Sequence, residues 1–464
     1  MAAESFDLII IGTGSGNSIL GPEFDNWRVA IVERDVFGGT CLNKGCIPTK
    51  MYVYVADVVE HIRHAPALGV DAEIRSTRWR DVRDRVFGRI DPIAAGGEDY
   101  RTNRCPNVTV FRGSARFEDQ HTVRITGGSN GDDAVITARH IVIAAGARPV
   151  IPDIEGLDRV GYHTSDDIMR VDRVPDRLGI IGGGFIACEM AHVFHAFGSS
   201  ITLINRGSEL LRNEDHDVRS RFLELARRQY DVRTDASVVR AERSSSGTVL
   251  TLDDGTTVEV DAVLVAAGRT PNTDELGLAA VGYRLHDDGR LVVDEFQATG
   301  VDGVYALGDI CSPFQLKHVA NHESRVVAHN LIHPDRPRAS DHRAVPHAVF
   351  GSPQIASVGL TEEAARAAGH DVIVKVQQYG DTAYGWAMED TTSICKVVAD
   401  RTTRRLLGAH IMGPYSSMLL QQLVQGIAFD QTVDDMARGQ YYAHPALSEV
   451  VENALLGLPA PGSV

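Results

Sequence analysis

The chain has 464 residues, room for about three domains at roughly 150 residues each. Its 43% hydrophobic and 23% charged residues are those of an ordinary globular protein, and its net charge of -16 argues against nucleic acid as a bulk partner, since phosphate binding needs clustered Lys and Arg. No run of ~18 apolar residues occurs, so no membrane span is expected.

The N-terminal residues, Met-Ala-Ala-Glu-Ser-Phe, show neither a basic segment nor a small-residue cleavage site, so no signal peptide is expected. Six cysteines are too few for a secreted disulfide scaffold. A cytoplasmic location follows as the expectation.

In chain order, residues 7–11 form an apolar run that reads as a buried parallel strand. It ends in Gly12-Thr-Gly14-Ser-Gly16. A second strand over 28–32 ends at Glu33, 21 residues after Gly12. This is the pattern of a dinucleotide site: glycines admit a pyrophosphate, and the acid takes a ribose hydroxyl. The third glycine would fall at Asn17, and Gly21-Pro22 spoils the helix that should follow.

The pattern returns at 178–187, where an apolar run leads into Gly182-Gly-Gly184-Phe-Ile-Ala187, with alanine in the third slot. The next strand is 200–204. Two such units imply two cofactors that each carry a pyrophosphate. An echo closes each unit: an apolar strand stopped by Gly146 and Pro149 in the first, and by Gly268 and Pro271 in the second. Residues 127–133 read as a surface turn. A further strand ends at Gly308-Asp309, and beyond about residue 340 the pattern suggests a separate α+β domain.

Residues 38–50 read Gly-Gly-Thr-Cys41-Leu-Asn-Lys-Gly-Cys46-Ile-Pro-Thr-Lys50. In a regular helix the two cysteines would stand about 8–9 Å apart. A disulfide wants roughly 7 Å or less. The segment must therefore be distorted, and Gly45 gives the freedom. A strained bridge suits redox chemistry. Half a zinc site is the alternative, but no second Cys or His ligand pair has suitable spacing, so no metal is expected. Cys105, Cys188, Cys311 and Cys395 read as packing residues, with Cys188 notable for its place at a helix start.

These segments, with Gly308-Asp309 and His444-Pro near the C-terminus, resemble the pyridine nucleotide-disulfide oxidoreductases over the whole chain. The resemblance implies an α/β fold of two Rossmann-like domains, for FAD and NADPH, plus a C-terminal α+β dimerisation domain. The implied division is 1–149 and 273–340 for FAD, 150–272 for NADPH, and 341–464 for the interface of a homodimer. It also implies that Cys46 lies against the flavin and Cys41 attacks the substrate disulfide. His444 is implied as acid–base group, reaching the partner subunit's cysteines, with Glu449 orienting it. Lys50 and Glu189 are implied to bridge near the flavin and nicotinamide, and Phe185 stands where some relatives carry a tyrosine. Implied flavin contacts are Gly12, Gly14, Gly16, Glu33, Thr40, Gly146 and Asp309. Those of the second cofactor are Gly182, Gly184, Ala187 and Gly268. Lys317-His318 departs from the Thr-Pro of the glutathione-reducing branch.

After the second unit's strand come Asn205 and Arg206, with Arg212 six residues further on. NAD would call for an acid near 205. Arg206 and Arg212 instead suit a 2′-phosphate, so NADPH is expected. Segments 11–18, 379–390 and 439–447 resemble the branch that reduces mycothione, a sugar-linked small-molecule disulfide, for which Tyr384, Trp386 and Tyr442 are candidate linings. Glutathione disulfide and NAD-linked lipoamide chemistry are the rival readings. A non-catalytic flavoprotein subunit is disfavoured by the intact Cys41, Cys46 and His444.

Overall fold

The computed structural model describes residues 3–127 and 133–460. The turn expected at 127–133 thus lies largely outside the described residues.

The first apolar run forms the strand Glu4–Ile11 at the centre of a seven-stranded sheet. Val29–Glu33 and then Val108–Arg112 lie parallel on one side, and Ala134–Ile143 lies parallel on the other. Val304–Ala306 pairs parallel with Ala134–Ile143, returning the chain to this sheet. Alternate residues of the central strand face opposite clusters: Ile9 and Ile11 pack with Ile141, Ile143 and Val304, whereas Leu8 and Ile10 pack with Val142, Leu307 and Val327. Burial of both faces explains why the strand is continuously apolar.

The helix expected to be poor after the first glycines does not form. Two 3₁₀ turns, Ser15–Ile19 and Pro22–Phe24, stand in its place. After the second fingerprint a full helix runs over Phe185–Ala196, almost entirely buried. It serves a four-stranded parallel sheet in the order Asp231–Arg233, Ser200–Ile204, Arg177–Ile181 and Ala262–Val265.

The two closing echoes meet. Ala147–Pro149 pairs antiparallel with Arg269–Pro271, so Arg148 lies opposite Thr270. The glycine-to-proline ends that resemble each other in sequence form the double crossing between the two units. Beyond residue 340, five antiparallel strands form a sheet from Pro346–Val349 to Val372–Gln378. Helices Ser416–Ala428 and Ser448–Leu456 supply much of its apolar cover.

Candidate functional site

One cavity of about 1980 Å³ runs along both fingerprints and past both cysteines. A single small-ligand site occupies roughly 300–1,000 Å³, so this volume suits two large cofactors. Among the residues singled out from sequence, it is lined by Gly12, Gly14, Glu33, Thr40, Cys41, Cys46, Lys50, Gly146, Gly182, Gly184, Glu189, Arg206, Arg212, Gly268 and Asp309. Gly16, Ala187, His444 and Glu449 are not part of its wall.

The fingerprint glycines divide by function. At Gly12 (φ +100) a Cβ would stand 2.4 Å from the Ala144 carbonyl oxygen, and at Gly182 (φ +134) 2.2 Å from that of Ala266. These two let neighbouring strands approach. Gly16 is likewise a packing residue, its missing Cβ 2.7 Å from that of Ala144, and Ala187 is fully buried. Gly146, Gly184 and Gly268 face open space, which leaves their backbone free for a phosphate or ribose. Glu33 already accepts from Thr13 N at 2.9 Å, Thr13 Oγ1 at 2.6 Å and Asp35 N at 2.8 Å. It braces the first turn, with carboxylate lone pairs to spare. The open backbone at Gly146, the braced acid and the cavity's size fit a flavin dinucleotide along the first unit.

The cysteine segment breaks as the spacing required. One short helix, Gly39–Asn43, carries Cys41, and a second, Cys46–His64, begins at Cys46. Gly45 between them has φ -134 and ψ -116. The two thiols are hydrogen-bonded to each other. The Cys46 thiol donates, which holds Cys41 below the usual thiol range against opposing burial, with Lys317 assisting. Cys46, holding the shared proton, is pushed up by that bond and by burial. The titration belongs to the pair, and the first proton lost leaves its charge on Cys41. Lys317 also donates to Ser15 Oγ at 2.8 Å.

Lys50 and Glu189 do not bridge directly. The Lys50 ammonium sits 4.0 Å from the centre of the Phe350 ring, and Glu189 Oε1 accepts from Phe350 N at 2.9 Å. Phe350 therefore touches both, a cation over its ring and a carboxylate on its N–H. Burial pushes Glu189 up to about 7, and burial lowers Lys50 against the pull of Asp57 and Glu189. Burial also raises Asp309, opposed by Arg269. Its turn is pinned by Glu323, which accepts from Gly308 N at 2.7 Å. Cys188 is buried and its thiol pushed up, in keeping with packing.

His444 is exposed, its side chain 71% accessible, with Nδ1 2.7 Å from Glu449 Oε1. Glu449 also accepts from Ala446 N at 3.2 Å, and the histidine bond lowers its pKa. The imidazole is thus oriented and faces outward from its own subunit. Tyr384 and Trp386 are exposed, whereas the Tyr442 hydroxyl is spent on Met436 O at 3.0 Å.

Residues 6–324 match the family model of the pyridine nucleotide-disulphide oxidoreductases, and residues 345–455 match that family's dimerisation domain. The chain belongs to this family. It is 53% identical to a mycothione reductase of Mycobacterium tuberculosis (strain ATCC 25618 / H37Rv), over 98% of this chain and all of that one. A glutathione reductase of Burkholderia cepacia is 34% identical over 97% of this chain and 98% of its own length. Among solved structures, the HOCl-induced flavoprotein disulfide reductase RclA of Escherichia coli, as its Cu(II) complex, superposes with a TM-score of 0.85 at 28% identity, covering 98% of this chain and 99% of that one.

Proposed function

We propose that this protein is an NADPH-dependent flavoprotein disulfide reductase that reduces mycothione in the cytoplasm, working as a homodimer. The observation that carries the reading is the single cavity that joins two glycine fingerprints to the Cys41–Cys46 pair. The substrate rests on the 53% identity with the mycobacterial mycothione reductase over the full chain. Exposed Tyr384 and Trp386 support it, as rings able to lie against a sugar. The division at 149/150, 272/273 and 340/341 is part of the same proposal, the first two supported by the strand pairing at the crossings and the third by the separate five-stranded sheet that begins at Pro346.

When bound, NADPH and FAD supply the two electrons that reduce the Cys41–Cys46 disulfide to a dithiol. The chain's residues do the rest. Lys50, Glu189 and Asp309 line the flavin side, and Gly182, Gly184, Gly268, Arg206 and Arg212 hold the nicotinamide nucleotide. Cys41, the more acidic thiol of the pair, attacks as its thiolate one sulfur of the substrate disulfide. One bond forms, the substrate S–S bond breaks, and the departing thiolate takes a proton from His444 of the partner subunit. Cys46 then gives up its proton through the imidazole and attacks Cys41 as the thiolate, so the Cys41–substrate S–S bond breaks, the Cys41–Cys46 bond forms, and the second substrate thiolate leaves with that proton. Glu449 holds the imidazole through its Nδ1, leaving the other nitrogen to exchange the proton.

Turnover of mycothione, glutathione disulfide and lipoamide with NADPH tests the reading. Mycothione is expected to be reduced fastest; fast turnover of glutathione disulfide alone overturns the substrate. Cys41→Ser is expected to abolish disulfide turnover while the bound flavin still bleaches with NADPH. Full activity in that variant overturns the role given to Cys41.

A further inference from the structure

The loop of residues 205–214 carries both arginines that would meet a 2′-phosphate. Arg206 and Arg212 are exposed, and among the described residues neither has a carboxylate within 4.0 Å. Free cations on a loop are useful only if the loop is held. Its start is tied within its own unit, by Asn205 Nδ2 donating to Gly207 O and Glu209 O, and by Leu211 N donating to Gly183 O at 2.8 Å.

Its end leaves that unit. Glu214, two residues after Arg212, is 4% exposed and accepts from Ser357 Oγ at 2.6 Å, with His347 Nε2 2.7 Å from its other oxygen. Asp215 is fully buried and accepts from Lys396 Nζ at 2.8 Å and from Glu362 N at 3.0 Å. Lys396 is itself 1% exposed, with Asp217 and Glu362 carboxylates at 2.6 and 2.8 Å. His347, Ser357 and Lys396 all stand on strands of the C-terminal sheet. The chain thus sinks three ionisable groups, Glu214, Asp215 and Lys396, at one junction, and the disulfide chemistry uses none of them. Buried charges hold position tightly because any displacement leaves them unpaired.

We propose that the Lys396–Asp215 and Ser357–Glu214 contacts form a clamp by which the C-terminal domain positions Arg212, making Lys396 and Glu214 positioning residues for recognition of the 2′-phosphate. The inference rests on the NADPH reading given above. It adds that selectivity for the phosphorylated nucleotide is set partly outside the nucleotide-binding unit.

The test measures binding of 2′,5′-ADP and of 5′-AMP to the FAD-loaded dimer by calorimetry, with KM for NADPH and NADH alongside. Arg212→Ala tests the nucleotide reading. It should weaken 2′,5′-ADP at least tenfold and leave 5′-AMP within about twofold; equal effects on both overturn that reading. Lys396→Met tests the clamp. It should weaken 2′,5′-ADP about fivefold, with the rise in KM for NADPH exceeding any fall in kcat, and Lys396→Arg should restore most of the affinity. Unchanged 2′,5′-ADP affinity with a lowered melting temperature overturns the clamp, because a merely structural tie would give that result. Should Lys396→Met not fold, Ser357→Ala removes one bond to Glu214 and should weaken 2′,5′-ADP two- to threefold; no change there overturns the proposal equally.

Discussion

The two dinucleotide units share a glycine turn, a strand and a closing Gly-to-Pro crossing, yet they solve the loop after the second strand in opposite ways. In the first unit Glu33 is drawn inward, its carboxylate accepting from Thr13 and Asp35. In the second, Asn205 donates along its own loop and Arg206 and Arg212 stay exposed. The first unit also lacks the helix that the second has at Phe185–Ala196. A braced acid makes a fixed site for a cofactor that stays. Free arginines on a clamped loop make a site for a nucleotide that comes and goes. The pyrophosphate fingerprint is thus the part of each unit that carries least information about its ligand.

The largest expected effect tests what the units have in common. Gly12→Ala and Gly182→Ala each drive a Cβ to within 2.4 and 2.2 Å of a carbonyl oxygen, at φ values that L residues rarely adopt. Each should cost on the order of 4 kcal/mol of stability, read as a fall in melting temperature of the FAD-loaded protein. Gly184 has an extended backbone and open space before it. Gly184→Ala should therefore keep the melting temperature and weaken NADPH about tenfold, or about 1.4 kcal/mol. Loss of folding in Gly184→Ala would erase the division between packing and ligand-facing glycines.

A second test falls on the helix that only the second unit possesses. It carries Glu189 to the cavity wall, where burial lifts the carboxyl from 4.5 to about 7. An acid whose pKa is raised by folding keeps its proton after the unfolded chain has lost it. Stability therefore falls as pH rises from about 4.5 through about 7, and is flat above that. In Glu189→Gln the amide has no proton to lose in this range, and its carbonyl oxygen can still accept from Phe350 N. The stability gained by this substitution should grow across that window to at most about 3 kcal/mol, measured by denaturation at several pH values. A difference that does not vary with pH would mean that Glu189 is ionised in the folded protein.

Much of this was legible because it is local. The buried strand over residues 7–11, the break at Gly45 and the two echoing proline-ended segments follow from short-range pattern and glycine placement, whereas the pairing of those segments with each other does not. What sequence reading missed lies between residues far apart in the chain. Phe350 reaches Glu189 across 161 positions and also lies under Lys50, and no periodicity marks a ring that far away as part of a charge site. Lys396 reads as one more lysine in a β-strand until three carboxylates close on it. Motifs show which backbone must bend; they do not show which side chains the completed fold will set face to face.

The smallest effect sharpens the comparison most. Placing an acid at 205 gives the second unit the residue type that the first has at 33. In the first unit the carboxylate is welcome because N–H and O–H donors surround it. At 205 the side chain must donate, to Gly207 O at 3.0 Å and Glu209 O at 2.9 Å, and a carboxylate cannot. Asn205→Asp should thus loosen the loop by about 1 kcal/mol and set a negative charge beside Arg206. NADPH should weaken by about tenfold relative to NADH, read as the ratio of kcat/KM for the two nucleotides. Should the ratio hold, selectivity resides in the arginines alone and the different handling of the two loops is incidental. Should NADH gain in absolute kcat/KM as well, the acid has found the ribose hydroxyls. The two units would then differ by one side chain rather than by the way each loop is held.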